Sequence, residues 1–455
     1  MQQQPRLPLW FLVANWALVV AAFVLGVVLG GRHRIDLPEP QSTALQLVFA
    51  EVLKSHVDSH DGNDLLDAAI DGMVRSLDPY SDYVPPREVR AYDERNSGHY
   101  EGVGLLMTPQ GEDVVVQYPF PGGPAARAGV LPGDVILAVD GKLLADEPAA
   151  LRNEVALKLV RGDAGTEVRL RLRRDAETLE LAMQRGDVQK SAVKWVHLAD
   201  ADAGLGYVYL SDFHPGIAAQ VTAAVDDLQR QRPLRGLVLD LRFDGGGNLD
   251  ECVALANAFL PGGTIVSQRR RDRVVVETFV ADPAKCRFPD LPLVVLVNEH
   301  SASASEVLAG ALQDHDRAAI VGVRTYGKGY VNTVYTWKNL DFRLKLTTAH
   351  YYTPDGRNLD GHHHGAADAP ANGAVPAAPT GGIEPDVAAP VTTEQLRATA
   401  RTLTNHEPPA VYLPAFRTVA LRYGIEVPVP PAAATDPQLA QALATLRDRI
   451  AAAGR

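Results

Sequence analysis

Short apolar runs alternate with helix-period segments through the second half of the chain. The runs at 236–241, 293–297 and 318–321 are largely Leu, Val, Ile and Ala, which is typical of strands buried on both faces of a mainly parallel sheet. Segments with helical periodicity, 249–259 and 303–313, lie between them. This alternation predicts an α/β core.

A different pattern precedes this core. From about residue 98 to 186, strand-like stretches such as 114–117 and 167–172 are separated by glycine turns, which predicts a small β-rich domain. Apolar residues recur at helical spacing from Leu65 to Leu77, with Asn63 as the expected N-cap. The tail after about residue 393 is expected to be helical in part, notably 437–452.

The N-terminus carries an apolar stretch, residues 10–31, in which only Asn15 is strongly polar. That length is enough to cross the hydrocarbon of a bilayer. A cleaved signal peptide usually has a shorter apolar core and a small-residue cleavage site, whereas this run continues into Arg32-His33-Arg34. We expect an uncleaved transmembrane helix, and the basic residues on its two sides leave its orientation close to a tie.

Charge and cysteine content exclude some classes of function. The net charge is −11, without a basic cluster, which argues against a nucleic-acid partner because phosphate binding needs grouped Lys and Arg. Two cysteines, Cys252 and Cys286, cannot form a disulfide framework or a four-thiolate zinc site. Whether these two pair with each other is left open by the sequence.

Two motifs following predicted strands carry candidate chemistry. Ser-Ala-Ser-Ala-Ser-Glu at 301–306 follows the strand ending near Val297, so a serine hydroxyl there would lie at a helix N-terminus, where free N–H groups favour an oxyanion. Thr-Tyr-Gly-Lys-Gly at 325–329 follows the next strand, and burial of its lysine would lower the pKa and make a neutral base. The alternatives are plain helix capping by the serines and a solvated lysine in a surface turn.

Two glycine-rich segments are the other candidates. Asp-Leu-Arg-Phe-Asp-Gly-Gly-Gly-Asn at 240–248 lacks the Lys-Ser/Thr of a phosphate-binding loop, so it suits an oxyanion or substrate-backbone cradle, or simply a strand-to-helix turn. Tyr-Glu-Gly-Val-Gly-Leu at 100–105 leads into a strand. Such a loop can bind a carboxylate through its N–H groups while a peptide adds to the strand edge.

Taken in order, these motifs resemble the C-terminal processing peptidases, also called tail-specific proteases, which carry an inserted PDZ domain. The resemblance covers roughly 65–387 and includes the 25-residue separation of Ser303 from Lys328. Leu-Asp-Pro-Tyr-Ser at 77–81, Tyr-Tyr-Thr-Pro-Asp-Gly-Arg at 351–357 and Gly-Ile-Glu-Pro-Asp at 382–386 are also similar to family segments.

The resemblance implies a serine endopeptidase without metal or organic cofactor. Ser303 would be the nucleophile and Lys328 the general base, with the N–H groups of Gly247 and Ala304 as oxyanion donors and Asn332 as the residue that orients the lysine. The PDZ domain would bind substrate C-termini through the four residues that open its first strand, Gly102, Val103, Gly104 and Leu105. The implied fold class is α/β: a crotonase/ClpP-like protease core, a small β-rich PDZ domain, helical N- and C-terminal regions and an N-terminal transmembrane helix.

The chain departs from the family pattern at three positions. Asn332 stands where the family commonly has Gln, so its shorter amide puts the contact with the lysine in doubt. Asp244 replaces the usual Asn and is expected to add a charge near the oxyanion donors. His300 replaces a common Gly.

The predicted regions are a membrane anchor at 1–35, a helical N-terminal region at 40–96, the PDZ domain at 97–187, the protease core at 188–392 with a flexible insertion at 361–381, and a helical tail at 393–455. The expected partners are peptides with free C-termini and a lipid bilayer, with a homo-oligomer or an adaptor left open. The resemblance implies a single-pass protein of the inner (cytoplasmic) membrane with its protease domain in the periplasm or outside the cell.

A Ser-His-Asp triad is disfavoured because neither His300 nor His350 lies in a recognisable triad setting. The tract 362–364 is all histidine but lacks the companions of a metal site, and we predict none. An inactive PDZ scaffold is the main alternative, supported by Asp244 and Asn332, and a crotonase-like acyl-transfer enzyme rests on fold analogy alone.

Overall fold

The computed structural model describes residues 37–270, 272–361, 381–405 and 407–454. The expected anchor at 10–31 and nearly all of the insertion at 361–381 lie outside the described residues. In the part of the chain that is described, no helix is both long enough and apolar enough to cross a membrane.

The chain divides into two compact units, with the boundary after Met73. Two helices open the described chain, α1 (Gln41–Ser55) and α2 (Gly62–Arg75). Helix α2 begins one residue before the predicted cap Asn63, and the carboxylate of Asp61 accepts the N–H of Asn63 at 2.7 Å. The capping role therefore falls to the aspartate, a residue type equally suited to it.

A β-rich domain follows a short strand and a helix. The elements in chain order are β1 (Asp82–Val84), α3 (Pro86–Ser97), β2 (His99–Gly102), β3 (Leu105–Gln110), β4 (Asp113–Pro119), α4 (Pro124–Arg127), β5 (Val135–Val139), β6 (Lys142–Leu143), a 3-10 turn (Leu144–Asp146), α5 (Ala149–Val160), β7 (Glu167–Arg174), β8 (Glu177–Gln184) and β9 (Gly186–Gln189). The main sheet has the order β3-β4-β5-β7-β8 and is antiparallel, with β6 beside β5. In β7, Val168, Leu170 and Leu172 are buried and alternate with exposed charged residues, as expected of a strand with one face on the core.

The second half contains the α/β core. Its elements are β10 (Val193–Asp200), β11 (Leu205–Leu210), α6 (Ile217–Gln231), β12 (Gly236–Asp240), α7 (Leu249–Phe259), β13 (Thr264–Arg269), β14 (Val275–Val280), a 3-10 turn (Pro283–Lys285), β15 (Leu293–Val297), α8 (Ala304–Asp314), β16 (Ala318–Gly322), β17 (Tyr330–Trp337), β18 (Leu340–Tyr352), β19 (Val387–Ala388), α9 (Thr393–Thr404), α10 (Leu413–Tyr423) and α11 (Pro437–Ala453). The central sheet has the order β10-β11-β12-β15-β16-β19 and is parallel except for β10. The predicted apolar runs are its inner strands β12, β15 and β16, all fully buried.

Helices cover both faces of this central sheet. Helices α6, α7 and α8 pack on one face and α11 on the other, where Leu439, Leu443 and Leu446 are buried. A second, antiparallel sheet joins β1, β18, β13 and β14, with β17 paired to β18. Because β12, β15 and β16 are parallel neighbours, the segments that follow them leave the same edge of the sheet. Those segments are the three candidate motifs of the core.

A buried ion-pair network fastens the last helix to the sheet. Arg242, two residues after the end of β12, is fully buried and bonds to Asp240 (2.6 Å) and to Asp436 (2.7 Å). Asp436 also accepts the N–H of Leu439 at 3.1 Å, so it caps α11. Gln438 accepts a further bond from the same guanidinium at 3.2 Å. The Asp-Leu-Arg sequence thus secures the C-terminal helix to the core.

Candidate active site

Ser303 is the residue immediately before helix α8, at the end of the loop that follows β15. Its backbone has φ +58°, a left-handed conformation that is strained for a residue with a side chain. The loop is held by Ser301, whose hydroxyl donates to the carbonyl of Leu241 at 2.8 Å. The side-chain oxygen of Asn298 accepts the N–H of Phe243 at 3.1 Å. These bonds tie the serine loop to the glycine loop after β12.

Glu306 connects the serine motif with the lysine motif. It is fully buried, and its Oε2 accepts the N–H groups of Ser303 and Lys328, each at 2.8 Å. Its Oε1 accepts the N–H of Gly327 at 2.7 Å and the hydroxyl of Thr325 at 2.6 Å. Burial raises the pKa of Glu306, and these four hydrogen bonds oppose the rise.

Glu306 is not among the site residues predicted from the sequence, although a Ser followed three residues later by Glu is the signature of a capping box, in which the glutamate reaches back to the N-cap N–H. That signal accounts for its bond to Ser303. The contacts with the lysine loop come from residues about twenty positions away, and only the fold brings them together.

Lys328 lies between two glycines whose backbones run close to neighbouring chain. A Cβ at Gly329 would come 2.1 Å from the nitrogen of Asp360, so only glycine fits there. The lysine side chain is half-buried, and burial lowers its pKa, with a further lowering by Lys345 and an opposing effect of Glu306. The solvated surface turn considered from the sequence is therefore wrong for this lysine.

Tyr80 covers the lysine ammonium, with Nζ of Lys328 lying 5.6 Å from the ring centroid. The tyrosine is held by Asp78, whose Oδ1 accepts the N–H groups of Tyr80 (2.7 Å) and Ser81 (2.8 Å). The hydroxyl of Thr347, on β18, donates to the same oxygen at 3.1 Å. The Asp-Pro-Tyr-Ser turn thereby presents an aromatic face to the lysine.

Asn332 makes a different contact from the one expected. Its amide donates to the hydroxyl of Thr347 at 3.1 Å. Since Thr347 in turn donates to Asp78, the amide is connected with the turn that carries Tyr80. The partner of the Asn332 amide is thus Thr347 on β18, the strand that pairs with β17, and not the lysine.

The glycine loop lies directly against the serine. Gly246 has φ +94°, and a Cβ on it would come 2.8 Å from both the Cβ of Ser303 and the nitrogen of Ala304. The loop is paired with Phe213, which donates to the carbonyl of Gly246 at 3.0 Å and accepts the N–H of Asn248 at 2.6 Å. No hydrogen bond joins the N–H of Gly247 or of Ala304 to another residue in the described ranges. Both donors thus remain available for an oxygen of a bound molecule.

Asp244 lies beneath this loop and is fully buried. Its Oδ1 accepts the N–H of Gly246 at 2.8 Å. Burial raises its pKa well above the usual value. Burial therefore opposes the negative charge that the sequence predicts near the oxyanion donors.

The two histidines that a triad could use, His300 and His350, both make ring contacts. The ring of His300 is stacked on Phe243 at 5.3 Å, and its side chain is exposed. Nδ1 of His350 lies 3.8 Å from Oδ2 of Asp360, and its ring centroid lies 4.9 Å from that of Tyr330.

Both cysteines are free thiols, and Cys252 donates to the carbonyl of Ala304 at 3.1 Å. The described residues contain no grouping of three or more His, Cys, Asp or Glu side chains suited to a metal ion.

The four residues predicted to bind a C-terminus lie together between β2 and β3. Gly104 has φ +75°, and the carbonyls of Val103 and Gly104 accept the N–H groups of Ala125 and Phe120, each at 2.9 Å. Strand β3 is the terminal strand of its sheet, and α5 packs beside it. An extended peptide could add to this edge, with its carboxylate at the loop.

A cavity of about 650 Å³ lies between the β-rich domain and the core segments around the start of β10 and the end of β11. Its lining includes Gly123 after β4 and, across from it, Lys190, Asp212 and His214. A Cβ on Gly247 would come 2.9 Å from Oδ1 of Asp212. One lining residue of the cavity, Asp212, is therefore a close neighbour of Gly247.

Known proteins match both parts of the chain. Residues 204–388 match peptidase family S41, and residues 115–174 match the PDZ domain. A carboxy-terminal-processing protease of Bartonella bacilliformis is 36 % identical over 75 % of this chain and 80 % of its own length. A CtpA-like serine protease of Staphylococcus haemolyticus is 32 % identical over 77 % of this chain and 70 % of its own. The solved structure of a photosystem II D1 C-terminal processing protease is 31 % identical and covers 79 % of this chain and 91 % of that one, with a TM-score of 0.41.

The family model, the PDZ match and the relatives agree with the order of motifs along the chain. The chain belongs to peptidase family S41 and is a C-terminal processing serine protease with a PDZ domain.

Proposed function

We propose that this protease cuts with Ser303 as nucleophile and Lys328 as general base. The observation that carries the proposal is the carboxylate of Glu306, which accepts the N–H groups of both residues on one oxygen. Their backbone nitrogens are therefore separated by no more than twice 2.8 Å. This holds the backbones of the two residues side by side, which supports a pairing of the serine hydroxyl with the lysine amine.

In the acylation step, the neutral amine of Lys328 takes the proton of the Ser303 hydroxyl as its oxygen attacks the scissile carbonyl carbon. The resulting tetrahedral intermediate collapses, the C–N bond breaks, and the leaving amine takes the proton back from the lysine. In the second step, water attacks the acyl-enzyme with Lys328 again as base, and Ser303 is regenerated. The lowered pKa of Lys328 supports this role because only the neutral amine can accept a proton.

The N–H groups of Gly247 and Ala304 are proposed to stabilise the oxyanion of both intermediates. Ala304 is the first residue of α8, where the helix dipole favours negative charge. Gly246 packs closely against Ser303, which supports a short distance between the glycine-loop N–H groups and the carbonyl that the serine attacks. Such preorganised donors are worth roughly 2.7–4 kcal/mol each in comparable enzymes.

Substrate C-termini are proposed to bind at Gly102, Val103, Gly104 and Leu105. The carboxylate would accept loop N–H groups, and the last residues would pair with the edge of β3. The cavity between this domain and the core supports a path by which the chain upstream of the bound C-terminus reaches Ser303. In this arrangement Asn332 acts through Thr347 and Asp78 on the position of Tyr80.

We also propose a cellular location for the enzyme. The apolar stretch 10–31 is proposed to anchor the chain as a single-pass protein in the inner membrane, with a crotonase/ClpP-like core on the periplasmic or outer side. Its sequence, with a single strongly polar residue, supports this placement. Protease added to intact spheroplasts would then remove the globular part, whereas survival of that part until lysis would contradict the orientation.

The catalytic assignment is tested with the full-length chain in detergent and a fluorogenic peptide that ends in a free apolar C-terminus. Ser303→Ala and Lys328→Ala should each abolish cleavage, and the double variant should be no worse than either, because residues that act as one unit lose activity non-additively. Lys338→Ala, which changes an exposed lysine in the β17–β18 turn, is the matched control and should retain activity. Near-normal turnover by Lys328→Ala would refute the pair.

The same assay tests C-terminal recognition. Amidation of the peptide C-terminus removes the carboxylate and should raise KM or abolish cleavage. Equal cleavage of the free and amidated peptides would show that the PDZ loop does not read the carboxylate. Cleavage of neither peptide by the unaltered chain would instead favour the inactive scaffold.

A further inference from the structure

Asp244 is a buried carboxyl group at the centre of the contacts between the glycine loop and the nucleophile loop. Its Oδ1 accepts the N–H of Gly246 at 2.8 Å, and its carbonyl oxygen accepts the N–H of Ala302 at 2.9 Å and the hydroxyl of Ser305 at 3.0 Å. Gly246 in turn packs on Ser303. One residue thus holds the glycine turn on one side and the start of α8 on the other.

The second carboxyl oxygen of Asp244 has a different environment. Oδ2 is buried and has no hydrogen-bond partner among the described residues. A carboxylate oxygen without a donor pays the full cost of desolvation, whereas a protonated oxygen does not carry that charge. The geometry therefore favours the uncharged acid over the carboxylate, with Oδ1 as the oxygen that accepts the Gly246 N–H.

The groups that face Asp244 reinforce this preference. Asp212, after β11, is a second acid; Cys252, on α7, is a thiol; Tyr209, on β11, is a phenol; and Ser305, on α8, is a neutral hydroxyl. Burial raises the pKa of Asp244 most and Asp212 raises it further, while the Gly246 N–H opposes the rise. None of these four groups supplies a positive charge that would stabilise the ionised form.

We propose that Asp244 is a positioning residue that works as an uncharged acid: it holds the Gly246–Gly247 turn against Ser303, and its ionisation sets the alkaline limit of proteolysis. An ionised Asp244 would put negative charge behind the N–H groups that face the oxyanion, in a region from which water is excluded. Loss of activity at alkaline pH would then follow the charge on this side chain and not a change in Lys328, which only gains neutral form as pH rises.

The ionisation of Asp244 should also lower the stability of the fold as pH rises, whether or not the enzyme is active. A carboxyl group whose pKa is raised by folding contributes its full stability below the unfolded value of about 3.9 and loses it as pH rises toward the folded value. Replacing Asp244 by Asn removes the titration but keeps an oxygen that can accept the Gly246 N–H. The gap in Tm between Asp244→Asn and the unaltered chain should therefore widen with pH.

The test combines pH–rate profiles with thermal unfolding of the full-length chain. For the unaltered protein kcat should rise and then fall by about tenfold per pH unit on the alkaline side, as for one ionisation. Asp244→Asn should keep the rising limb, reach a maximum within about twofold, and lose the falling limb. Asp244→Ala, which cannot hold the turn, should lower kcat at every pH with little change in KM.

The Tm comparison is repeated in the Ser303→Ala background from about pH 4 to pH 9. The kinetic prediction rests on the proposed function, whereas the Tm gap should widen in this inactive background as well. An alkaline limb that persists in Asp244→Asn, or a Tm gap that stays constant with pH, would overturn the proposal while leaving the Ser303 and Lys328 assignment intact. Conversely, activity retained by Ser303→Ala would remove the catalytic assignment without affecting the stability result.

Discussion

The N–H groups of Ser303 and Lys328 donate to the same oxygen, Oε2 of Glu306, at 2.8 Å each. The other oxygen of this carboxylate holds Gly327 and Thr325. The loops that follow two neighbouring parallel strands are therefore joined through one buried side chain. The serine motif and the lysine motif are thus held together by direct hydrogen bonds, in addition to the pairing of the strands that precede them.

Glu306→Gln should misplace the two loops. A glutamine has one acceptor oxygen, so its amide nitrogen would face N–H and O–H donors. We expect kcat to fall on the order of 100-fold, since displacements of about 1 Å have this effect. The free energy of unfolding should fall by about 1–3 kcal/mol through unsatisfied buried donors. Glu299→Gln, an exposed glutamate on the same loop, is the control. Equal kcat for the two variants would show that the shared carboxylate does not position the pair.

The pH dependence of cleavage should report Lys328. Its pKa lies below the ordinary value because of burial and then because of Lys345, with Glu306 opposing. Only the neutral amine is a base, so kcat/KM should rise with pH through the lowered pKa. Lys345→Gln removes a neighbouring positive charge, which should raise the pKa and move the rising limb to higher pH. The exposed Lys338→Gln should leave the limb in place, and an unmoved limb in Lys345→Gln would contradict the assignment.

Tyr80 should keep water from the same lysine. Its ring lies over the ammonium at 5.6 Å. Tyr80→Ala should admit water to the lysine. Because water solvates the Lys328 ammonium at least as well as the ring face does, the pKa of Lys328 should rise. Tyr80→Phe keeps the ring and is the matched control. Measured profiles of kcat/KM should show the rising limb at higher pH only in the alanine variant, and a shift to lower pH would mean that the ring mainly stabilises the cation.

The buried pair of Arg242 and Asp436 should be important for stability. Asp436→Ala leaves a fully buried guanidinium with one carboxylate fewer and removes the cap of α11. Breaking one side of a buried ion pair costs about 3–5 kcal/mol. Gln438→Ala removes weaker bonds in the same network and should cost about 1–2 kcal/mol. Denaturant unfolding monitored in both variants gives the comparison, and equal losses would show that the ion pair adds little.

Much of the fold follows from local pattern. Apolar runs of four to six residues bounded by polar turns predict β12, β15 and β16 to within a residue, and helical periodicity gives α7 with the bounds that the structure has. These elements are set by their own sequence because strand and helix periods are properties of the backbone. Ser303, Lys328 and the glycines stand in motifs whose order along the chain already identified the family.

Only the tertiary structure decided how these residues act on one another. Glu306 meets Lys328, Tyr80 covers it, and Asn332 bonds to Thr347 because distant segments converge at one edge of the sheet. The state of Asp244 was also beyond the sequence, which shows a carboxyl group but not the burial that raises its pKa. Desolvation, hydrogen-bond partners and neighbouring charges depend on what surrounds a side chain in space. For this protein, the sequence determined the elements and the reactive groups, and the packing determined their partners and the direction in which their pKa values move.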